Sequence, residues 1–334
     1  MCTTPRERVW QAVRHRQPDR VPYHISFTVP ARRKLEAHYG TAALADVLGN
    51  HLAKYRTPLP LEEVRPGFWR DEFGVVWNKS VDPDIGVVDQ YPLADRSLRG
   101  YVFPDPRDPR RFAPLPAFVE ANRERFRYVS VSFSLFERAW TLRGMANLMV
   151  DMLEAPQFVD QLFEAIAAYD LAVVEEALKH DIDAVLFGDD WGHQQGLLFG
   201  ARLWRRFIKP HLALLYAAVK RAGKAVMIHS CGKVQELFPE LIDLGLDVFN
   251  PFQPEVMDPF EMKREFGARL AFFGGVSVQR LLPHGTPRQV RDEVRRLKEE
   301  VGREGGLVLA PSHDMPGDIP LENMLALIET AQEP

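Results

Sequence analysis

The chain has 334 residues, a formal net charge of −4 and 46% hydrophobic residues. These values are typical of a globular protein with a sizeable core, and the slightly acidic charge argues against a nucleic-acid partner. No segment approaches the roughly eighteen apolar residues of a membrane span, and the N-terminus lacks the apolar core of a signal peptide. We therefore expect a cytoplasmic protein that acts on a small-molecule substrate. Its two cysteines are Cys2, near the terminus, and Cys231, so we expect no structural disulfide.

The N-terminal segment predicts a capped helix and then a strand. Thr4 and Glu7 flank Pro5 with the spacing of a capping box. After a short turn, residues 23–27 form the first predicted strand of a barrel. His24 in this strand is a candidate substrate-binding residue, although packing within the barrel wall is the favoured interpretation because the sequence offers it no partner.

Residues 28–126 have the weakest periodicity. Helical patterns occur near 30–39 and 42–53, and a strand at 73–77 has a candidate partner at 86–89. Prolines crowd the second half of the region, which favours loops and short antiparallel pieces over helix. We predict an irregular elaboration over the mouth of a barrel and not a separate domain.

From residue 127 onward, short apolar strands alternate with amphipathic helices. The predicted strands are 128–133, 184–187, 225–229, 248–251, 270–273 and 307–310. The predicted helices are 144–152, 156–180, 201–222, 234–244, 256–266, 287–302 and 320–332. This alternation indicates a parallel sheet, here with seven strands and an eighth that is irregular or lies within 28–126. Neither a dinucleotide-binding nor a P-loop glycine motif follows any strand.

The strand at 225–229 ends in two side chains suited to a metal. Residues two apart on a strand share a face, so His229 and Cys231 point the same way. His313 follows another strand, and strand ends distant in sequence converge at one end of a barrel. Three such ligands with an open fourth position are typical of a catalytic zinc. Asp314 or a carbonyl would orient one of the imidazoles through a hydrogen bond. The alternative is a buried histidine beside an inert thiol.

Carboxylates follow two further strands. Asp189 and Asp190 are adjacent and repel each other, which raises the pKa of one and suits acid–base work; the alternative is one capping and one solvated aspartate. Glu137 is either a buried catalytic carboxylate or a helix-start glutamate. Asp181 and Asp183 precede their strand and belong to the opposite, stabilising end of a barrel.

Amide and glycine residues complete the predicted site. Asn250 and Gln253 offer amide donors after the strand at 248–251. Gly274 and Gly275 follow the strand at 270–273, where either a ligand approaches the backbone or the chain makes a tight turn. Gln253 and the two glycines are candidate substrate-binding or cofactor-binding residues.

At these residues the chain resembles the uroporphyrinogen decarboxylase superfamily. The matching stretches are 4–8, 19–22, 188–192, 229–232, 250–253, 273–276, 311–314 and 320–323. Within the superfamily, the chain looks most like decarboxylase-like proteins that include zinc-dependent corrinoid methyltransferases. The resemblance implies a (β/α)8 TIM barrel of the α/β class that forms one domain over residues 1–334.

Two departures from the family pattern shape the functional expectation. Porphyrinogen decarboxylases have an N-terminal stretch rich in glycine and arginine that binds substrate carboxylates, and residues 26–33 lack it. In the methyltransferases, the resemblance implies a histidine and two cysteines on zinc that activate a thiol acceptor. His229 and Cys231 match the first pair, whereas His313 stands where the late cysteine is expected.

We therefore expect a zinc-dependent methyltransferase in a corrinoid-linked demethylation system, with the corrinoid on a separate carrier protein. The alternatives are a metal-free decarboxylase that uses Asp189 or Asp190 and a non-catalytic module that presents a methylated cofactor. A homodimer is left open. Replacing a cysteine by His313 makes the ligand set less negative, so we expect a preference for an oxygen, nitrogen or folate centre over a thiol acceptor.

Overall fold

The computed structural model describes residues 3–58, 60–80, 82 and 84–334. Cys2 lies outside these residues, so its lack of a disulfide stays a prediction. The strands in chain order are β1 (Leu52–Arg56), β2 (Leu61–Arg65), β3 (Phe68–Asp71), β4 (Val76–Asn78), β5 (Val87–Gln90), β6 (Phe126–Val131), β7 (Ala184–Gly188), β8 (Gly192–His193), β9 (Gly196–Leu197), β10 (Ala225–His229), β11 (Val248–Phe252), β12 (Ala271–Val276) and β13 (Leu307–Pro311).

The helices predicted from residue 144 onward are present, one of them split in two, whereas the helices at 109–112, 115–121, 135–143 and 281–284 were not predicted. The helices in chain order are α1 (Pro5–Val13), α2 (Val29–Tyr39), α3 (Leu44–Leu48), α4 (Pro109–Phe112), α5 (Leu115–Ala121), α6 (Leu135–Arg143), α7 (Met145–Glu154), α8 (Pro156–Ala177), α9 (Gly200–Phe207), α10 (Lys209–Arg221), α11 (Phe238–Asp243), α12 (Pro259–Phe266), α13 (Leu281–His284), α14 (Pro287–Arg296) and α15 (Leu321–Gln332). The predicted helix over 201–222 is split at Ile208, because Pro210 has no N–H to continue the helical hydrogen bonds. In the described part of the chain, no helix is long and apolar enough to cross a bilayer.

The main sheet is parallel and has seven strands in the order β1-β6-β7-β10-β11-β12-β13. Helical segments lie between its successive strands from β6 to β13, as expected when parallel strands are joined by crossovers. The predicted strands from residue 128 onward are confirmed, with ends shifted by at most three residues. Their carboxyl ends therefore lie on one side of the sheet.

The predicted strand at 23–27 is wrong as a continuous strand. The segment pairs with the chain around β13 through two isolated parallel bridges, from Tyr23 to Leu309 and from Phe27 to Met315. On the other side, the side-chain amide of Asn50 replaces a backbone ladder: its Oδ1 accepts from Ile25 N at 2.7 Å, and its Nδ2 donates to Ile25 O at 2.9 Å. The segment thus connects the two outer strands of the sheet irregularly.

The strand that the sequence pattern left unplaced is β1, within the 28–126 region. The helix predicted over 42–53 is wrong in its second half, because α3 ends at Leu48 and Gly49 takes the left-handed conformation with φ of 59°. The chain then continues as β1, which pairs in parallel with β6.

The remaining elaboration contains an antiparallel sheet in the order β2-β3-β4-β5. The predicted pairing of 73–77 with 86–89 is confirmed at the end of the first segment, where Trp77 of β4 is opposite Val88 of β5, whereas residues 73–75 lie outside the strand. Trp77 is buried and belongs to the main core, so this sheet packs onto the larger fold.

Helix α1 covers the amino ends of the parallel strands. Its Val9 and Val13 belong to a core cluster with Phe126 and Tyr128 of β6 and with inward-facing residues of the other parallel strands. Asp183, just before β7, is 1% exposed and ties the helix to this end. Its carboxylate accepts hydrogen bonds from Arg6 and Trp10 of α1 and from Arg127 N of β6 at 2.9–3.0 Å. The predicted position of Asp183 at the amino end of the parallel strands is therefore confirmed, and its contribution to stability stays a prediction.

Replacing Asp183 should destabilise the protein strongly. Asp183→Ala removes the buried counter-charge of the Arg127 guanidinium and leaves it only the exposed carboxylate of Asp181, so we expect a loss of about 3–5 kcal/mol in the free energy of unfolding. Asp181→Ala is the matched control, since that side chain is 62% exposed and its ion pairs contribute about 0–1 kcal/mol. Urea denaturation measures both values. Equal losses in the two variants would contradict the assignment.

Candidate metal centre

A cavity of about 390 Å³ lies at the carboxyl ends of the parallel strands. Residues that follow β10, β11 and β13 contribute Cys231, Gln253, His313 and Asp314 to its lining. Thr28, which precedes α2, lines it from the N-terminal segment. Segments more than 280 residues apart in the chain therefore line the same cavity. This is expected where the carboxyl ends of parallel strands converge.

The structure brings the three predicted metal ligands together. One ligand atom from each of His229, Cys231 and His313 lies within 4.8 Å of the others. His229 Nε2 and Cys231 Sγ are 3.5 Å apart. Two ligands at the usual zinc distances of about 2.1 Å (nitrogen) and 2.3 Å (sulfur) are separated by about 3.5 Å at a tetrahedral angle. The donor set therefore fits zinc, and the exposed His313 ring is free to complete it.

Asn250 of β11 determines which nitrogen of His229 faces the metal position. Its Nδ2 donates to Phe273 O at 3.0 Å, which leaves Oδ1 to face His229 Nδ1 at 2.6 Å. Since a carboxamide oxygen only accepts, His229 Nδ1 carries the proton. The lone pair is then on Nε2, beside Cys231 Sγ. A histidine that binds a metal through one ring nitrogen usually donates a hydrogen bond from the other, as His229 does to Asn250.

Asp190 positions the cysteine. Its Oδ1 accepts from Cys231 N at 2.8 Å and lies 3.9 Å from His229 Nε2. Burial raises the pKa of the Cys231 thiol, and the nearby carboxylates of Asp190 and Glu137 raise it further. A divalent cation would supply the positive charge that this group of donors lacks.

Asp189 lies behind the centre and holds its supports in place. It is fully buried, and its oxygens accept from Glu137 N at 2.7 Å and from Trp191 Nε1 at 2.5 Å. Burial raises the pKa of Asp189 to about 7, although these hydrogen bonds act in the opposite direction. The geometry makes Asp189 a positioning residue, whereas a direct catalytic role for it stays a prediction.

Glu137 is half-buried in the first turn of α6, which agrees with a helix-start glutamate, and a catalytic role for it stays a prediction. Its Oε2 lies close to Gly188 at the end of β7. Burial, and then Asp190 and Asp189, raise the pKa of the Glu137 carboxyl well above its usual range. A carboxyl in this state can hold a proton next to Asp190.

The other candidate binding residues have different surroundings. Gln253 is 6% exposed, lines the cavity and accepts from Gly232 N at 3.4 Å. His24 packs edge-on against Phe273 with ring centroids 5.8 Å apart, and burial lowers the pKa of its imidazole to about 4. The ring therefore favours the wall-packing interpretation, although its Nδ1 is buried without a partner among the described residues.

The glycines expected at a strand end lie inside β12. Gly274 and Gly275 are buried there with φ of 139° and 103°. A Cβ on Gly274 would come within 2.6 Å of Phe252 N of β11, so the close neighbour is the adjacent strand. This corrects the tight-turn interpretation of their position. The described lining of this cavity contains neither glycine, and a role for them in binding a ligand stays a prediction.

Sequence reasoning missed two residues of this region. Asn250 was predicted only as a donor of hydrogen bonds, and its partner His229 lies 21 residues away. Lys54 was not recognised as a residue near the site because its segment was predicted as helix. It lies on β1 opposite Tyr128, and burial, followed by the charge of Arg56, lowers the pKa of its ammonium to about 8. A charged residue in the apolar run 52–55 was the available signal.

A parallel α/β fold that gathers a thiol, imidazoles and buried carboxylates at the carboxyl ends of its strands defines an enzyme-like class of protein. Residues 127–334 match the family model described as "Uroporphyrinogen decarboxylase (URO-D)". The chain therefore belongs to the uroporphyrinogen decarboxylase family, as its motifs indicated.

Curated relatives carry two different enzyme names. A uroporphyrinogen decarboxylase of Methylococcus capsulatus is 23% identical over 69% of this chain and 66% of its own length. A methylated-thiol–coenzyme M methyltransferase of Methanosarcina mazei is 25% identical over 59% of this chain and 51% of its own length. The chain thus spans about half to two thirds of the length of these relatives.

A solved structure described as a methyltransferase from Methanosarcina mazei shares the fold. It superposes with a TM-score of 0.75 at 18% identity and covers 99% of this chain and 98% of its own. This likeness supports a common barrel-type architecture.

Gly232 should be required for the position of Cys231. Its φ is 84°, and an added Cβ would lie 2.4 Å from the Gly192 carbonyl carbon. We expect Gly232→Ala to destabilise the protein by about 3 kcal/mol or more and to speed the reaction of Cys231 with a thiol reagent, measured in a Cys2→Ser background. Gly200→Ala is the control, since Gly200 has a similar φ of 74° with nothing within 4 Å. Equal effects of the two changes would refute this steric role.

Proposed function

We propose that this protein is a zinc-dependent methyltransferase that works in corrinoid-linked demethylation with a separate corrinoid-carrier protein. The observation that supports the proposal most directly is the cluster of His229, Cys231 and His313, with ligand atoms within 4.8 Å of one another. The methyltransferase name of one curated relative supports the reaction class.

Zinc held by these three residues would supply a Lewis acid for the atom that bears the transferred methyl group. The chain's own residues would prepare that position. Asn250 fixes the His229 tautomer, and Asp190 holds the Cys231 backbone. Glu137, next to Asp190, would hold or accept a proton during the reaction.

The charge of the donor set bears on the methyl acceptor. One thiolate and two neutral imidazoles carry one negative charge, whereas one imidazole and two thiolates carry two. The set present here therefore leaves more positive charge at the centre, which suits polarising an oxygen or nitrogen and weakens the nucleophilicity of an acceptor thiolate. We propose an acceptor such as a folate.

Metal-free decarboxylation is the second candidate. It is favoured by the decarboxylase names of two curated relatives and by the raised pKa of the Asp189 carboxyl. It would be recognised by loss of carbon dioxide from a carboxylated substrate that persists in the Cys231→Ser variant. Stoichiometric binding of a methylated cofactor without turnover would instead indicate a non-catalytic module.

The metal content should depend on Cys231. Protein purified without a histidine tag should contain about one zinc per chain, and Cys231→Ser should lose most of it, because a hydroxyl replaces a thiolate poorly. His193→Ala is the control: His193 lines the same cavity outside the ligand group and should leave the zinc content unchanged. Elemental analysis measures all three proteins. Full zinc in Cys231→Ser would refute the assignment.

The acceptor preference should depend on His313. With a methylcorrinoid donor, the wild type should methylate tetrahydrofolate faster than a small thiol. His313→Cys should raise the thiol-to-folate rate ratio by about tenfold or more, equivalent to about 1.4 kcal/mol. Parallel rate measurements with both acceptors test this, with zinc content determined for each protein. A wild-type preference for the thiol that His313→Cys does not increase would show that the charge argument is wrong.

A further inference from the structure

A second cavity, of about 280 Å³, lies between the antiparallel sheet and the barrel-type fold. Aromatic side chains and charged groups of both signs line it, including the ion pair of Arg111 with Glu72. Two further buried polar groups, Arg138 and Asp170, lie on α6 and α8. The residues on which the inference rests are Phe73, Trp77, Phe133, Arg138, Tyr169 and Asp170. The described residues that line this cavity include none of those that line the cavity at the metal centre.

Arg138 places a buried cation with spare donors in this cavity. The residue is 4% exposed, yet its Nη1 reaches Asp71 and Thr141 only at 3.5 Å, the outer limit of a hydrogen bond. Among the described residues, none accepts a hydrogen bond from its Nε or Nη2. Asp71 is already occupied, since it accepts from two backbone N–H groups and from Trp77 Nε1. A planar guanidinium with free donors matches a carboxylate.

Asp170 supplies a second unpartnered group. It is 2% exposed, lines the cavity, and its Oδ2 has no hydrogen-bond partner among the described residues. Burial raises the pKa of the Asp170 carboxyl well above its usual range, which favours the protonated form, and a protonated carboxyl can donate a hydrogen bond. A buried polar group left unpaired in this way is expected where a ligand completes its bonding.

The aromatic walls favour a flat ligand and disfavour a cationic one. The Arg138 guanidinium already covers Phe73, at 3.7 Å from the ring centroid, and would repel an added cation. Phe133 is held at a φ of 50°, which side-chain-bearing residues rarely adopt, with its ring against Trp77 at a centroid distance of 5.4 Å. Such a backbone outlier at a cavity wall is typical of a binding site.

We propose that this cavity is a second small-molecule site that binds a single-ring aromatic carboxylate. The carboxylate would pair with Arg138 and accept a hydrogen bond from Asp170, and the ring would lie against Trp77 and Phe133. The volume is at the lower end for ligand sites and suits one substituted ring. The site does not depend on the metal centre or on the proposed methyl transfer.

Titration calorimetry with benzoate tests the site. We expect one benzoate per chain, with benzamide and benzylammonium bound at least tenfold more weakly because each lacks the carboxylate. Arg138→Gln should weaken benzoate binding at least tenfold. Phe133→Leu keeps an apolar side chain and the buried charges, and it should weaken benzoate binding severalfold. This variant tests the site if Arg138→Gln does not fold.

Two controls distinguish benzoate binding at this site from binding at the metal centre and from non-specific attraction to surface arginines. Cys231→Ser should bind benzoate as the wild type does, whatever its zinc content. Arg107→Gln removes an exposed arginine outside the described cavity lining and should also have no effect. The proposal is overturned if benzoate does not bind, if benzylammonium binds better, if binding survives Arg138→Gln and Phe133→Leu, or if Cys231→Ser abolishes it.

Discussion

The candidate metal centre depends on one hydrogen bond, from His229 Nδ1 to Asn250 Oδ1. Parallel pairing of β10 with β11 places the two residues opposite each other. The second hydrogen bond of Asn250, to Phe273 O in β12, fixes the amide and therefore the proton on Nδ1. Three neighbouring strands thus determine the state of one imidazole nitrogen. Cys231 and His313 can share a metal ion with His229 only if the lone pair of His229 Nε2 faces them.

Around this bond, the carboxylates of Asp190 and Asp189 have separate roles. Asp190 holds the backbone of Cys231, whereas Asp189 is withdrawn from the cavity and connects α6 to the loop after β7. Burying Asp189 opposes its ionised form, and its hydrogen bonds to N–H donors offset part of that cost. Rigid support of this kind keeps a small set of ligands within the tolerance that metal binding needs.

The elaboration between β1 and β6 adds a second polar environment to the fold. Its antiparallel sheet packs Phe73 and Trp77 toward α6 and α8, and Arg138 is buried between these layers. In Glu137 and Arg138, α6 therefore presents adjacent charged residues to two different sites. The first faces the strand ends and the second faces the elaboration.

Local patterns in the sequence were enough to predict the capping box at Thr4, the strands from residue 128 onward and the shared face of His229 and Cys231. Each of these depends on residues close together in the chain, where hydrogen-bonding geometry and side-chain alternation act directly. Only the tertiary structure placed Asn250 beside His229, put Lys54 on a strand and replaced the ladder at 23–27 with the side chain of Asn50. These features come from contacts between distant segments, whose register depends on the packing of the whole sheet and leaves no periodic signal in the sequence.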